Sequence, residues 1–291
     1  MKRAARKSKK AEDWKPAAVS LLLLLGVTFI FYYGAFSSMK LYIDDADPYS
    51  YAAVILPMFI ITLAFFYRKD LKVDWNKKKF LLAIPFFAVS AMLLYEAGAF
   101  PKYALTLLSL PFFVAGCMLL FFSIYTMKKL LFLILYLFLL WTPLFQPLVS
   151  TQAGITDITT DVVQLPLNLL GLPIEREGNA FYSGSKISLE VVPQCVPLSA
   201  IIALFCFLLP FAYVAKGEIK NRVAWLAAWV IGCWVLDVLR ITAVLLIWYY
   251  SGLSNALQVF HAIGGNIIFD LALVAALLSF KLFRLDFNLN L

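Results

Sequence analysis

Apolar runs long enough to cross a bilayer recur along almost the whole chain, and nothing constrains its fold more. A helix needs about 17–25 mostly apolar residues to span the hydrocarbon core. Here such runs cover roughly residues 17–36, 51–67, 80–98, 103–127, 130–149, 195–215, 223–250 and 261–280. In lipid every backbone N–H and C=O must be satisfied within the protein, so helices are the natural spanning form for runs of this length. The composition agrees: 63% of the 291 residues are hydrophobic and 14% are charged. A soluble domain carries roughly a quarter charged residues. The expected fold is an all-α polytopic membrane protein of about eight transmembrane helices, with a small outer loop or hairpin element.

The net charge of +8 comes from basic residues strung between the runs. That pattern records topology and does not read as nucleic-acid binding. The tail MKRAARKSKKAEDWK, the loops after runs two, four and six, and the C-terminus hold most of the Lys and Arg. The opposite side holds only Lys40, Lys102, Arg176, Lys186 and Arg240. The positive-inside rule therefore puts both termini in the cytoplasm, with the first run as a retained signal anchor. The polybasic tail also suits anionic membrane lipids. An acidic connection with Asp44, Asp45 and Asp47 and a short turn with Pro101 and Lys102 fall between runs. The organisation expected is a basic tail (1–16), five membrane helices (17–149), an outer connection (150–194), three more membrane helices (195–280) and a cytoplasmic tail (281–291).

The outer connection has patterning of its own. Residues 155–170 carry apolar side chains on one face, with Thr156, Asp157, Thr160, Asp161 and Gln164 among them. An interfacial amphipathic helix fits, broken near Pro166 and stopped by Gly171 and Pro173. Residues 174–192 look like a hairpin, with Gly178-Asn179 and Ser183-Gly184 as turn candidates. Such an element could cap the bundle or offer a strand edge to an extended peptide.

Chemistry concentrates where polar residues meet the membrane. Cys195 directly precedes the sixth run, in KISLEVVPQCVPLSAIIALF. On the first turn of a helix, orphan N–H groups and the positive end of the macrodipole favour a thiolate, and Pro197 suits that turn. The bland alternative is a small packed hydrophobe, the role expected of Cys117, Cys206 and Cys233 within their runs. Arg240 lies seventeen residues beyond Val223, about 25 Å along a helix, in the outer leaflet. Asp237, three residues earlier, is its natural partner. Arg240 is either a structural ion pair or snorkelling residue, or a fixed positive charge near the thiol that stabilises thiolate or oxyanion. His261, the single histidine, opens the last run in QVFHAIGGNIIFD beside the small Gly264 and Gly265. It is an interfacial residue or the acid–base partner of a thiol nucleophile. Asp270 lies nine residues deeper on about the opposite face; a buried carboxylate there needs a partner that the sequence does not name. One histidine without a cysteine or carboxylate cluster makes no metal site, and no phosphate-binding glycine loop is present, so no cofactor is expected.

With these residues in place, the chain resembles the exosortase/archaeosortase family of membrane-embedded cysteine transpeptidases. LLGLPIEREGNAFYSGSKISLEVVPQC resembles the family's stretch leading to its cysteine, DVLRI its arginine motif and VFHAIGG its histidine motif. The similarity runs from about Leu169 to the end of the eighth run. Two departures stand out: Val196-Pro197 follow the cysteine where the family has a small polar residue and glycine, and Asp237 stands where asparagine is frequent.

The resemblance implies a thiol protease or transpeptidase that removes C-terminal sorting signals of exported proteins at the outer membrane face. Its partners would be exported proteins ending in a short motif, an apolar helix and a basic tail, with water, an amine, a lipid or a glycan as acceptor. Nucleic acid is not a partner. The carry-over makes Cys195 the nucleophile, Arg240 the stabiliser of thiolate or oxyanion, and His261 the general acid/base. Two other readings survive on the sequence: a transporter or lipid-handling protein in which Arg240 grips an anionic group, and a structural assembly protein without chemistry.

Overall fold

The computed structural model describes residues 14–37, 49–97, 104–184, 188–196, 198–262 and 265–286. The basic N-terminal tail, the acidic connection, the Pro101–Lys102 turn, Lys186, Pro197, Gly264 and the last five residues lie outside that set. The protein is all-α apart from one small sheet. Its backbone divides into two compact units: 1–39 with 55–144 and 289–291, and 40–54 with 145–288.

The first unit contains helices α1 (Trp14–Phe31), most of α2 (Ala52–Phe66), α3 (Lys77–Glu96), α4 (Ala104–Phe121) and α5 (Ile124–Tyr136). Proline sits inside α2, α3 and α4, at Pro57, Pro85 and Pro111. The helices pack through neutral groups. Tyr32 shares its hydroxyl with Ser90 (3.1 Å) and Ser109 (2.7 Å), and its ring meets Phe113 edge-on. α3 and α4 form the most extensive pairing in the unit.

One boundary departs from the expected one. The pair Lys128-Lys129 reads as a loop, yet both are exposed residues inside α5. The break comes earlier, at Ser123. Its side chain accepts from the Thr126 N–H (3.2 Å), capping α5, while the Ser123 N–H reaches the Lys72 carbonyl (2.8 Å). Thr126 is fully buried and donates to the Asp70 carbonyl (2.7 Å). A capping hydroxyl defines a helix start better than charge does, because it satisfies an orphan N–H.

The second unit contains α6 (Gln152–Leu169), β1 (Glu175–Glu177), β2 (Ala180–Tyr182), β3 (Leu189–Glu190), α7 (Leu198–Val214), α8 (Ile219–Ser251), α9 (Leu253–Ala262) and α10 (Gly265–Leu278). α6 runs through Pro166 without the expected break. Gly171, at φ 65°, then closes a Schellman-type end, with Leu172 N–H on the Leu167 carbonyl (3.3 Å). The hairpin is present: β1 and β2 pair antiparallel across Gly178-Asn179, with Glu177 opposite Ala180. Gly178 takes φ 58°, the left-handed value that a two-residue turn needs at its first position. β3 adds on the other side of β2, with Leu189 opposite Phe181.

The run expected to continue from His261 divides differently. α8 ends at Ser251, Gly252 follows, and α9 begins at Leu253 and packs against α8 with Ala256 fully buried. His261 is therefore the ninth residue of α9, a helix that begins at Leu253 and not at His261. Residues 253–260, between the seventh and eighth expected runs, are helical, and Leu253 and Ala256 join the apolar cluster that α8 lines.

Among the described residues, two helices, Lys79–Glu96 and α8, are long and apolar enough to cross a membrane by length and composition. Pro16–Phe31, Ala52–Phe66, Leu105–Phe121 and Leu198–Val214 are shorter apolar helices. α7, α8 and α10 pack on one another, and Trp225 ties α8 to α10 through the Ala276 carbonyl (3.1 Å).

Candidate active site

Two prolines shape the backbone at Cys195. A residue before proline is pushed out of the helical region by the proline ring. Val192 precedes Pro193 and is extended, at ψ 161°. Val196 precedes Pro197 and is extended too, at ψ 118°. Between them fits a single 3-10 turn, Pro193–Cys195, closed by Cys195 N–H on the Val192 carbonyl (2.8 Å). α7 starts only at Leu198. Cys195 thus ends a turn before the helix, where the sequence suggests the helix's own first turn. The helix-terminus argument for a thiolate is correspondingly weaker, since that effect fades beyond the terminal turn.

Cys195 is half-buried, and its side chain borders the main apolar cluster of this unit. That cluster joins Val163 and Leu167 of α6, Phe181 and Val191 of the sheet region, and Val238, Ile241, Leu245 and Trp248 of α8. The turn is therefore seated between the outer connection and α8. Cys117, Cys206 and Cys233 are buried thiols, as packing residues would be.

Arg240 reaches this turn from α8. Its Nη2 donates to the backbone carbonyl of Cys195 and pairs with Asp237 Oδ1 at 2.9 Å. The two side chains are 3% and 0% exposed. Asp237 is the i−3 partner that helix geometry requires. The guanidinium meets the backbone of Cys195 and is paired with the Asp237 carboxylate. What acts on the thiol from this side is an oriented dipole, softer than a bare cation.

The outer connection is bound to α8 and to itself by polar contacts. Trp234 Nε1 donates to Thr159 Oγ1 (2.9 Å), tying α8 to α6. Asn179, at the hairpin turn, donates to Asp157 (3.0 Å) and accepts from Thr160 (3.0 Å). Arg176 of β1 donates to Thr160 (2.9 Å) and pairs with Asp161. Gln152, the first residue of α6, donates from Nε2 to the Pro193 carbonyl (2.8 Å). None of these contacts is readable in the sequence, because polar residues in a polar connection cost nothing and so carry no signal.

The structure brings Cys195 and Arg240 together, with Asp237 as the partner of Arg240. The backbone of His261 lies in α9, which packs on α8, and its side chain is outside the described ones. Asp270 is exposed on α10, where the sequence suggests burial, so no interior partner is demanded of it.

No curated protein and no solved structure matches the chain. The family model described as transmembrane exosortase (Exosortase_EpsH) matches residues 43–278, which include Cys195, Arg240 and His261. With that match over most of its length, the chain belongs to the transmembrane exosortase family.

Proposed function

We propose that this membrane protein, transpeptidase-like in its family, is a cysteine transpeptidase or protease that cleaves C-terminal sorting signals of exported proteins. The observation that carries the proposal is the bond from Arg240 to the Cys195 carbonyl, inside the region matched by the family. An ionisable side chain buried in an apolar segment is costly, which makes it a functional-site hypothesis by default. Here it is held against the residue that would attack.

In this reading the eight apolar runs cross the cell membrane, with both termini cytoplasmic and Cys195 facing outside. The substrate's apolar helix lies beside the protein and delivers the scissile peptide to the thiol, so proximity supplies much of the rate. The Cys195 sulfur attacks the peptide carbonyl, and the C–N bond breaks. His261 gives a proton to the leaving amine, and a thioester remains on Cys195. Water then yields hydrolysis; an amine, lipid or glycan nucleophile yields transfer. Arg240 holds the turn that presents the sulfur and contributes its dipole to the developing oxyanion. The head-group-binding alternative is weaker, because the Arg240 guanidinium is engaged by Asp237 and the Cys195 carbonyl.

The test compares mature C-termini of exported proteins in cells carrying wild-type protein or Cys195→Ala at equal abundance. The proposal expects a set of proteins to retain their C-terminal helices only with the variant. Unchanged C-termini between wild-type and null cells reject it.

A further inference from the structure

The Pro193–Cys195 turn has little to hold it in place by itself. Its internal backbone bonds are Cys195 N–H to the Val192 carbonyl (2.8 Å) and Val196 N–H to the Pro193 carbonyl (3.2 Å). An isolated 3-10 turn has poor hydrogen-bond geometry and no neighbouring turns to cooperate with. Its orientation must come from outside, and two side chains supply it. Arg240 of α8 takes the Cys195 carbonyl, and Gln152 of α6 takes the Pro193 carbonyl at 2.8 Å. The two grips fall two residues apart on the same turn and arrive from different helices. A turn held at one carbonyl can pivot about it; a turn held at two cannot.

Gln152 is well suited to the second grip. It stands at the first position of α6, and that helix is anchored along its length. Trp234 fixes it at Thr159, and Asn179 fixes it at Asp157 and Thr160. The amide therefore rides on a scaffold that the sheet and α8 jointly immobilise. A neutral amide also donates without adding charge near the thiol, which a lysine at this place would do.

We propose that Gln152 is a positioning residue: through the Pro193 carbonyl it sets the direction in which the Cys195 sulfur is presented. The inference rests on reading Cys195 as the nucleophile.

The test uses the full-length protein in membranes, with Gln152→Met (similar volume, no donor) and Gln152→Glu. Two rates are followed: alkylation of Cys195 by iodoacetamide, read by mass spectrometry of its peptide, and processing of a C-terminal substrate. Gln152→Met is expected to change both by about three- to tenfold, the worth of one net hydrogen bond, in kcat with KM preserved. Gln152→Glu should match that loss at neutral pH, where a carboxylate repels the carbonyl. It should recover towards the wild-type rate, taken at each same pH, as pH falls through roughly 4–5. There the protonated carboxyl donates one hydrogen to Pro193.

Wild-type rates in Gln152→Met overturn the proposal. So does an equal loss in both variants at every pH, which marks a merely structural site. If Gln152→Met does not fold, the pH profile of Gln152→Glu decides alone. Alkylation needs only the thiol. Altered alkylation with no processing by the wild type would keep the positioning role and reject the sorting function instead.

Discussion

Among the described residues each unit of the molecule buries one cation, and the two are held in opposite ways. In the first, Lys79 is 5% exposed, near the start of α3. Its ammonium donates to the carbonyls of Asp74 (2.8 Å) and Phe122 (3.2 Å) and pairs with an Asp74 carboxylate that is 47% exposed. Water still reaches one end of that pair, so its desolvation cost is low. In the second, Arg240 and Asp237 are both sealed in. Lys79 closes a loop, and its contacts suffice to explain it. Arg240 is buried together with its partner, and it faces the turn of the one cysteine that is not fully buried. The difference teaches where to look: a cation with an exposed partner is explained by the loop it closes, and a sealed one beside a half-buried cysteine asks for a functional account.

The sharpest way to break this comparison is to remove one half of the dry pair. Asp237→Ala leaves a buried guanidinium uncompensated, which costs about 3–5 kcal/mol. Loss of folded protein, seen as abundance and thermal stability in detergent, is the expected outcome. Replacing both members, Asp237→Leu with Arg240→Leu, should restore most of that stability while processing stays absent. Recovery of processing in the double variant would make Arg240 as architectural as Lys79.

Lys79→Met tests the wet pair and should do less, about 1–3 kcal/mol for carbonyls left without their donor. The folded fraction is expected to process substrate at the wild-type rate. A loss of specific activity with stability intact would erase the distinction between the two cations.

The smallest effect is expected at Ser123→Ala, where loss of one helix cap costs about 1 kcal/mol. Thermal unfolding of the purified protein reads it. A neutral result would mean that the Thr126–Asp70 bond, and not the cap, fixes the start of α5.

How much of this was legible follows the cost of misplacing each residue. Arg240 and Asp237 stood out because charge inside an apolar run is expensive, and i−3 spacing named the partner. The hairpin stood out because Gly178-Asn179 is a turn signal with a steric cause. The helix in 155–170 showed through its one-sided apolar pattern. Failures came where a cheap feature outweighed the usual cue. Lys128-Lys129 sits on an exposed face of α5, so charge there did not mark a loop. Pro193 and Pro197 together detached Cys195 from α7, an effect of the pair that either proline alone does not announce. Gln152 was invisible, and of Asn179 only the turn was legible, since their importance lies in which carbonyl or carboxylate they meet across the fold.

The length of α8 has one further consequence. Its 33 residues make a rod about 50 Å long, while a hydrocarbon core of about 30 Å takes up only about 39 Å of it even at a 40° tilt. Some of this rod must therefore emerge from lipid while still carrying apolar side chains. At the end bearing Val244, Leu245 and Trp248, α6 and the small sheet wrap those residues, and all three are buried. The outer connection thus acts as insulation around a protruding conductor. It also packs beside Cys195 and shields one side of that half-buried residue.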